Sequence, residues 1–306
     1  MADHRRIYVL AAVVLLSCLT IVFSFTPLPD NPNEVSDGEK KYVNFQGTPQ
    51  ELAIYVLSGK EKGPTVLIVA GIHGDERGGY LTVERYRNIK VNRGTLILIP
   101  RLNTFAIAKG TRHGINGDMN RLFHLPDNTK ATADSKVVNA IKSYIKKADY
   151  VLNLHQGSGF YYPRWISKKR NPLNWGQCNI IDAPTFDLPN GEKLELARFA
   201  GRVASLSNSK ITNKQYYFHV NNTNTAAAHS RHKEQRRSLT YYALYKAHKM
   251  ALAIEATKSC SLPQAVSFLT IAVNAVLGDV GIQAEDLPST DLRPIGEELK
   301  SKGFAG

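Results

Sequence analysis

His73 and Glu76 stand three residues apart in the stretch VLIVAGIHGDERGGY (66–80), directly after the apolar run 66–70. An imidazole nitrogen and a carboxylate oxygen at this spacing suit zinc, which takes mixed N/O ligands and in catalytic sites usually keeps three protein ligands and a water. Placed at the expected first turn of a helix, both side chains project to one side of a strand's carboxyl end, where open α/β sheets keep their sites. The pair alone equally describes a surface histidine beside a helix-N-terminal glutamate, so a third ligand is required. His155 in YVLNLHQGSG (150–159) supplies it, ending a second apolar run ahead of a flexible Gly-Ser-Gly. On its own His155 would read as a hydrogen-bonded core histidine. Paired with HxxE, it is hard to explain as packing. The intervening GTRHGINGDMNRLF (110–123) offers Arg112, Asn120 and Arg121, whose planar donors fit a carboxylate or a developing oxyanion. The same loop in isolation would read as a solvated charged loop. Finally, Glu255 in MALAIEAT (250–257) ends an apolar strand, an expensive place for an unpaired carboxylate. It is either salt-bridged to an arginine or a general base that takes a proton from the attacking water and returns it to the leaving amine.

These residues need a scaffold that brings distant strand ends together. Residues 42–45 and 52–57 read as a strand pair, and 65–70, 95–100 and 150–154 as short strands buried on both faces. Helices are expected from the HxxE pair to about residue 87, after an Asp134/Ser135 cap, around the 194–206 apolar periodicity, and from Pro263 through Leu277. Residues 102–121 read mostly as loop and 252–255 as the last strand. Strands alternating with helices predict an α/β protein, a three-layer α/β/α fold with a mixed, largely parallel central sheet. The expected organisation is an N-terminal signal or anchor (1–25), a Pro/Asp/Asn/Gly-rich linker (26–41), a catalytic domain (42–285) and a C-terminal tail (286–306).

A net charge of +13 suits an anionic partner, whether nucleic acid, membrane surface or polyanionic substrate, and does not choose between them. Residues 7–25 form an uncharged apolar run behind His4, Arg5 and Arg6, just long enough to span a bilayer and oriented to send the body of the chain across it. Val22 and Ser24 offer a tolerable cleavage site before Phe25, so cleavage stays open. The expected location is the periplasm, anchored in the inner membrane or secreted. Cys18, Cys178 and Cys260 lie far apart with no CxxC, which argues against a zinc knuckle or a dense disulfide framework; only Cys178 and Cys260 could pair in the folded body. The basic run HSRHKEQRR (229–237) lacks interleaved aromatics, so no nucleic acid is expected and a solvated or substrate-facing loop is favoured. Trp165 and Trp175 either line the cleft or pack beneath its loop.

The order HxxE, Arg, Asn-Arg, strand-end His and strand-end Glu resembles the zinc carboxypeptidase superfamily, which also contains the aspartoacylase-like deacylases. Longer stretches narrow the likeness: GDMNRLF (117–123), VLNLHQGSGFYYP (151–163), NPLNWGQCNIID (171–182), HKEQRRSLTYYAL (232–244) and IEATKS (254–259) are similar to the peptidoglycan D,L-carboxypeptidases that determine cell shape in some Gram-negative bacteria. That resemblance implies Zn2+ on His73, Glu76 and His155, with Glu255 as general base. It implies that Arg112 polarises the scissile carbonyl and that Asn120 and Arg121 hold the terminal carboxylate. The implied partners are peptidoglycan muropeptides, specifically the tripeptide L-alanyl-γ-D-glutamyl-meso-diaminopimelate trimmed to a dipeptide.

Two departures matter. Shape-determining members can carry Gln where this chain has His73, and the His restores the ordinary ligand set. Members also carry additional C-terminal β-rich domains, whereas about 30 residues follow the last predicted helix here, so any wall-positioning role is expected to be missing or supplied by a partner. Two competing readings remain: an N-acyl amino acid deacylase using the same triad, and a non-catalytic murein-binding protein.

Overall fold

The computed structural model describes residues 38–126 and 131–304; the apolar run 7–25 and most of the expected linker lie outside the described residues. Strand β1 (Gly38–Asn44) begins inside the segment expected to be linker and pairs antiparallel with β2 (Leu52–Ser58). The sheet continues with β3 (Glu61–Ala70), β4 (Lys90–Ile99), β5 (Tyr150–Gly157), β6 (Cys178–Ile181), β7 (His219–Asn222), β8 (Met250–Thr257) and β9 (Gln283–Glu285). Its order is β1-β2-β4-β3-β5-β8-β6-β7, with β9 on β4. The four central strands β4, β3, β5 and β8 are mutually parallel, while the flanks are mixed.

Both faces of these central strands are covered, which is why their sequences are apolar runs rather than alternations. Val66, Ile68 and Ala70 of β3 pack in one core with α1 (Arg77–Glu84), α4 (Leu196–Asn208), α6 (Leu262–Val280) and α7 (Leu292–Ser301). Leu67 and Val69 face a second core, closed by α3 (Ala133–Lys147) and α5 (Leu239–Tyr245). The result is the expected three-layer α/β/α arrangement. Helix α6 is long and apolar enough to cross a membrane, yet it is capped by Ser261, opened by Pro263 and largely buried in the first core.

Several local expectations are corrected. His73 and Glu76 do not sit in the first helical turn: Glu76 is the N-cap of α1, and His73 lies in the preceding turn. Gly71 enters that turn at φ 69°, and Gly74 approaches Ala106 so closely that a Cβ would meet its backbone at 2.1 Å. Helix α1 ends at Glu84, short of residue 87. The stretch read as loop holds α2 (Thr104–Lys109), capped by the Asn103 side chain and stopped by left-handed Gly110, and a short 3-10 turn at Met119–Arg121. The cap of α3 is Thr132, which exchanges hydrogen bonds with Ser135. Strands β6 and β7, which local periodicity does not predict, are short and carry buried asparagines, and β8 is not the last strand. The expected tail carries α7, which buries Ile295 and Leu299.

The contact of Gly74 with Ala106 holds the turn that carries His73 and Glu76 against α2. Gly74→Ala is expected to destabilise the protein by about 3 kcal/mol, because backbone must move to admit the methyl group; chemical denaturation of both proteins checks this.

Candidate metal centre and active site

Strand register assembles the site. Glu255 of β8 sits beside His155 of β5 in the parallel pair and beside Cys178 of β6 in the antiparallel one. Strand β3 lies on the other side of β5, with Ala70 beside Leu154, so the turn carrying His73 and Glu76 leaves the sheet next to His155. His73, Glu76 and His155 are buried, and their potential ligand atoms lie within 4.8 Å of one another. The donor set, two imidazoles and one carboxylate around a common point, fits a catalytic divalent metal.

Glu76 is the hub. His73 Nδ1 lies 2.9 Å from its Oε1, while His155 Nδ1 (2.8 Å) and the backbone amide of Gln156 (3.0 Å) reach Oε2. Arg112 Nη1 donates to Oε1 at 3.2 Å. Burial alone would raise the Glu76 carboxyl, but the His155 charge and the bonds from both histidines outweigh it and hold it well below its ordinary range. Burial pushes His155 down, against the pull of the Glu76 charge and hydrogen bond. For His73, the bonds to Asp118 and Glu76 overcome burial and raise it.

Asp118 was not singled out from sequence, although it lies two residues before Asn120 inside GDMNRLF. Its Oδ1 is 3.1 Å from His73 Nε2, and its Oδ2 accepts from Arg112 at 3.3 Å. Against the effect of burial, the His73 bond and charge and the cations Arg112 and Arg121 hold its carboxyl well below the usual value. Asp118 therefore fixes the second nitrogen of the candidate ligand His73, as outer carboxylates do in metal sites. It also caps the turn that carries Asn120 and Arg121.

A pocket of about 280 Å³ opens on this centre, lined by His73, Glu76, His155, Arg112, Asn120, Arg121 and Glu255 among others. Asn120 Oδ1 is occupied by the Leu239 amide, which leaves its Nδ2 as the donor for a ligand. Arg121 is tied through its own backbone: Arg237 donates to its carbonyl. The basic run thus has a structural part, since Arg236 also donates to the carbonyls of Thr225 and Ala227, while Gln235 of the same run lines the pocket. Neither Trp165 nor Trp175 lines it; Trp175 stacks on Tyr161 at 3.8 Å. Lys258 at the pocket rim is paired with Asp75. Cys178 and Cys260 are free thiols; Cys178 is buried beside Glu255, and its sulfhydryl donates to Trp175 O.

Glu255 has no hydrogen-bond partner among the described residues, so its carboxylate is available to a water or substrate. Burial first, and the Glu76 charge second, push its carboxyl up to about 8. The space it occupies depends on Gly157, where a Cβ would fall 2.0 Å from Glu255 Oε2.

Asp118→Ala should weaken metal affinity by about 10- to 100-fold, measurable by competition with a chromophoric chelator. In metal-free protein, the raised Glu255 means that the folded state binds a proton the unfolded chain has already lost. Stability is therefore lost as pH rises from about 4.5 to about 8. Glu255→Gln should accordingly gain on the wild type across that window by a few kcal/mol and then level off, as urea denaturation in a chelator at stepped pH will show.

Solved structures share this architecture. The chain is 27% identical to the tripeptide-bound cell shape determinant Csd4 of Helicobacter pylori, with a TM-score of 0.74 over 82% of this chain and 60% of that one. With the mDAP-bound form of Helicobacter pylori Csd4, a D,L-carboxypeptidase, it shares 30% identity at a TM-score of 0.68, covering 77% of this chain and 56% of the other. The chain thus spans about three-fifths of the length of this structural relative. Over 102 residues it is 29% identical to an N-alpha-acetyl-L-2,4-diaminobutyric acid deacetylase of Halomonas elongata, a stretch covering 31% of this chain and 29% of that protein. Residues 48–294 match the family described as "carboxypeptidase controlling helical cell shape catalytic", and the chain belongs to that family.

Proposed function

We propose that this protein is a zinc-dependent D,L-carboxypeptidase that hydrolyses the γ-D-glutamyl-meso-diaminopimelate bond of murein tripeptides, leaving the dipeptide. The observation that carries the reading is the convergence of His73, Glu76 and His155 with Glu255 in one polar pocket. Membership of the cell-shape carboxypeptidase family and similarity to a tripeptide-bound Csd4 supply the substrate class. Zinc held by His73, Glu76 and His155 would supply Lewis acidity at the scissile carbonyl and a nucleophile at neutral pH.

The remaining chemistry belongs to the chain. Glu255, which lines the pocket with no hydrogen-bond partner among the described residues, takes the proton of the attacking water and delivers it to the leaving amine of diaminopimelate. Arg112 stands at the pocket mouth with its side chain 44% exposed and balances the charge that develops on the carbonyl oxygen. Asn120 Nδ2 and the Arg121 guanidinium take the free carboxylate of the departing residue, which sets which end of the peptide enters. The cationic balance of the chain agrees with an anionic substrate. A periplasmic location, anchored or secreted, is supported by the apolar run 7–25 behind its basic residues.

The deacetylase likeness favours a second reading, N-acyl amino acid deacylation by the same groups. Incubation of the purified protein with the defined tripeptide and with N-acetyl diamino acids, followed by mass analysis, separates the two. Loss of diaminopimelate is expected; inertness toward tripeptide with release of acetate would overturn the carboxypeptidase reading. Glu255→Gln should lower turnover by about 10²- to 10⁴-fold with zinc content unchanged.

A further inference from the structure

The segment between β5 and β6 carries a surface that the active site does not use. Residues 163–169, PRWISKK, are exposed without a break. Of the seven large apolar side chains exposed among the described residues, three belong to this one loop: Trp165 (64%), Ile166 (58%) and Leu173 (70%). Four cations, Arg164, Lys168, Lys169 and Arg170, accompany them, and no Asp or Glu occurs from residue 150 to 181. Arg170 turns inward over the Phe160 ring at 5.2 Å. Arg164, Lys168 and Lys169 have no carboxylate partner among the described residues.

The loop is built. Ile166 N and Ser167 N donate to Arg170 O, closing a tight turn at the tip. Buried Asn171 donates from Nδ2 to the carbonyls of Ser167 and Lys168, and Asn174 Nδ2 donates to Lys168 O. Leu173 N donates in turn to Asn171 Oδ1, which ties the third apolar side chain to the tip. At its base Phe160 N donates to Lys169 O, and Tyr161 stacks on Trp175. Apolar groups are therefore held out in water by a fixed backbone, and little conformational freedom remains to be lost on binding.

We infer that this loop docks the enzyme on an anionic phospholipid bilayer, with Trp165, Ile166 and Leu173 entering the headgroup boundary and Arg164, Lys168 and Lys169 on lipid phosphates. A tryptophan beside aliphatic side chains suits the interface between headgroups and acyl chains, and unpaired cations around it select negative surfaces. Glycan strands are the competing anionic partner. They are read by flat aromatic faces with polar groups around them, and exposed Ile166 and Leu173 offer neither. Because the loop leaves β5 just after His155, and Gly157 and Ser158 line the pocket, docking would hold the cleft at the membrane surface. This inference does not depend on which amide bond the site cleaves.

Trp165 is itself the reporter, since the chain has two tryptophans and Trp175→Phe preserves the stack. The full chain carrying that substitution is mixed with vesicles of brominated phosphatidylcholine, with or without brominated phosphatidylglycerol. Trp165 emission should shift to the blue and be quenched in the anionic vesicles, and high salt should reverse this. Adding Lys168→Glu and Lys169→Glu should weaken the effect at least about tenfold, with the melting temperature unchanged. The apolar N-terminal run would tether the chain to both lipids alike, so the decisive reading is the difference in Trp165 quenching between anionic and neutral vesicles. Quenching that is absent, or equal in both lipids, overturns the inference. So does protection of Trp165 by isolated murein without quenching by lipid.

Discussion

A buried carboxylate must be matched or it does not stay ionised. Glu76 is matched on every side: two imidazoles, the Gln156 amide and the Arg112 guanidinium converge on its two oxygens. That requirement couples parts of the chain far apart in sequence. The turn after β3 must carry His73 and Glu76 together, the end of β5 must offer both a side chain and a backbone donor, and the 110–121 loop must fold back to bring Arg112. Much of the local geometry reads as a consequence, including the left-handed Gly71 and the contact of Gly74 with α2.

The parallel sheet does the long-range work. In β5 and β8 each residue has a fixed neighbour, and the rung that holds His155 also holds Glu255, with Cys178 beyond it. Two rungs deeper, on the same face, stand Asn153, Ala253 and Ile180, all of which line the pocket. The small Ala253 between them leaves the hollow open. A one-residue slip of β8 would turn Glu255 to the other face of the sheet, so the register that buries Leu252 and Ile254 in the first core also aims Glu255 into the pocket. Stability and chemistry are thus specified by the same pairing.

Charge is distributed unevenly around this centre. Glu76 and Asp118 are held ionised by histidines and arginines, whereas Glu255, two strands from the turn, has burial and no donor. Carboxyl groups of one site are thereby pushed in opposite directions by their surroundings. On the next loop the pattern reverses, with cations left unpaired in solvent beside apolar side chains.

What was legible in the amino-acid order is what local composition dictates. Apolar runs bounded by glycine announced the central strands and hence the layered α/β fold, and strand-end His155 and Glu255 stood out because polar groups are costly there. The HxxE pair was visible as a spacing, although the turn that holds it was not, since that turn is shaped by contact with α2. Asp118 looked like an ordinary loop acid; only the fold brings it to His73, 45 residues away. Trp165 and Trp175 looked alike in sequence, yet one is stacked and the other stands in water. Strands β6 and β7 and helix α7 carry weak local signals and exist because their neighbours offer an edge or a face to pair with. Residue type and periodicity therefore determined which groups could do chemistry. Which of them meet was decided by strand register and loop closure, whose partners lie too far along the chain for local order to encode.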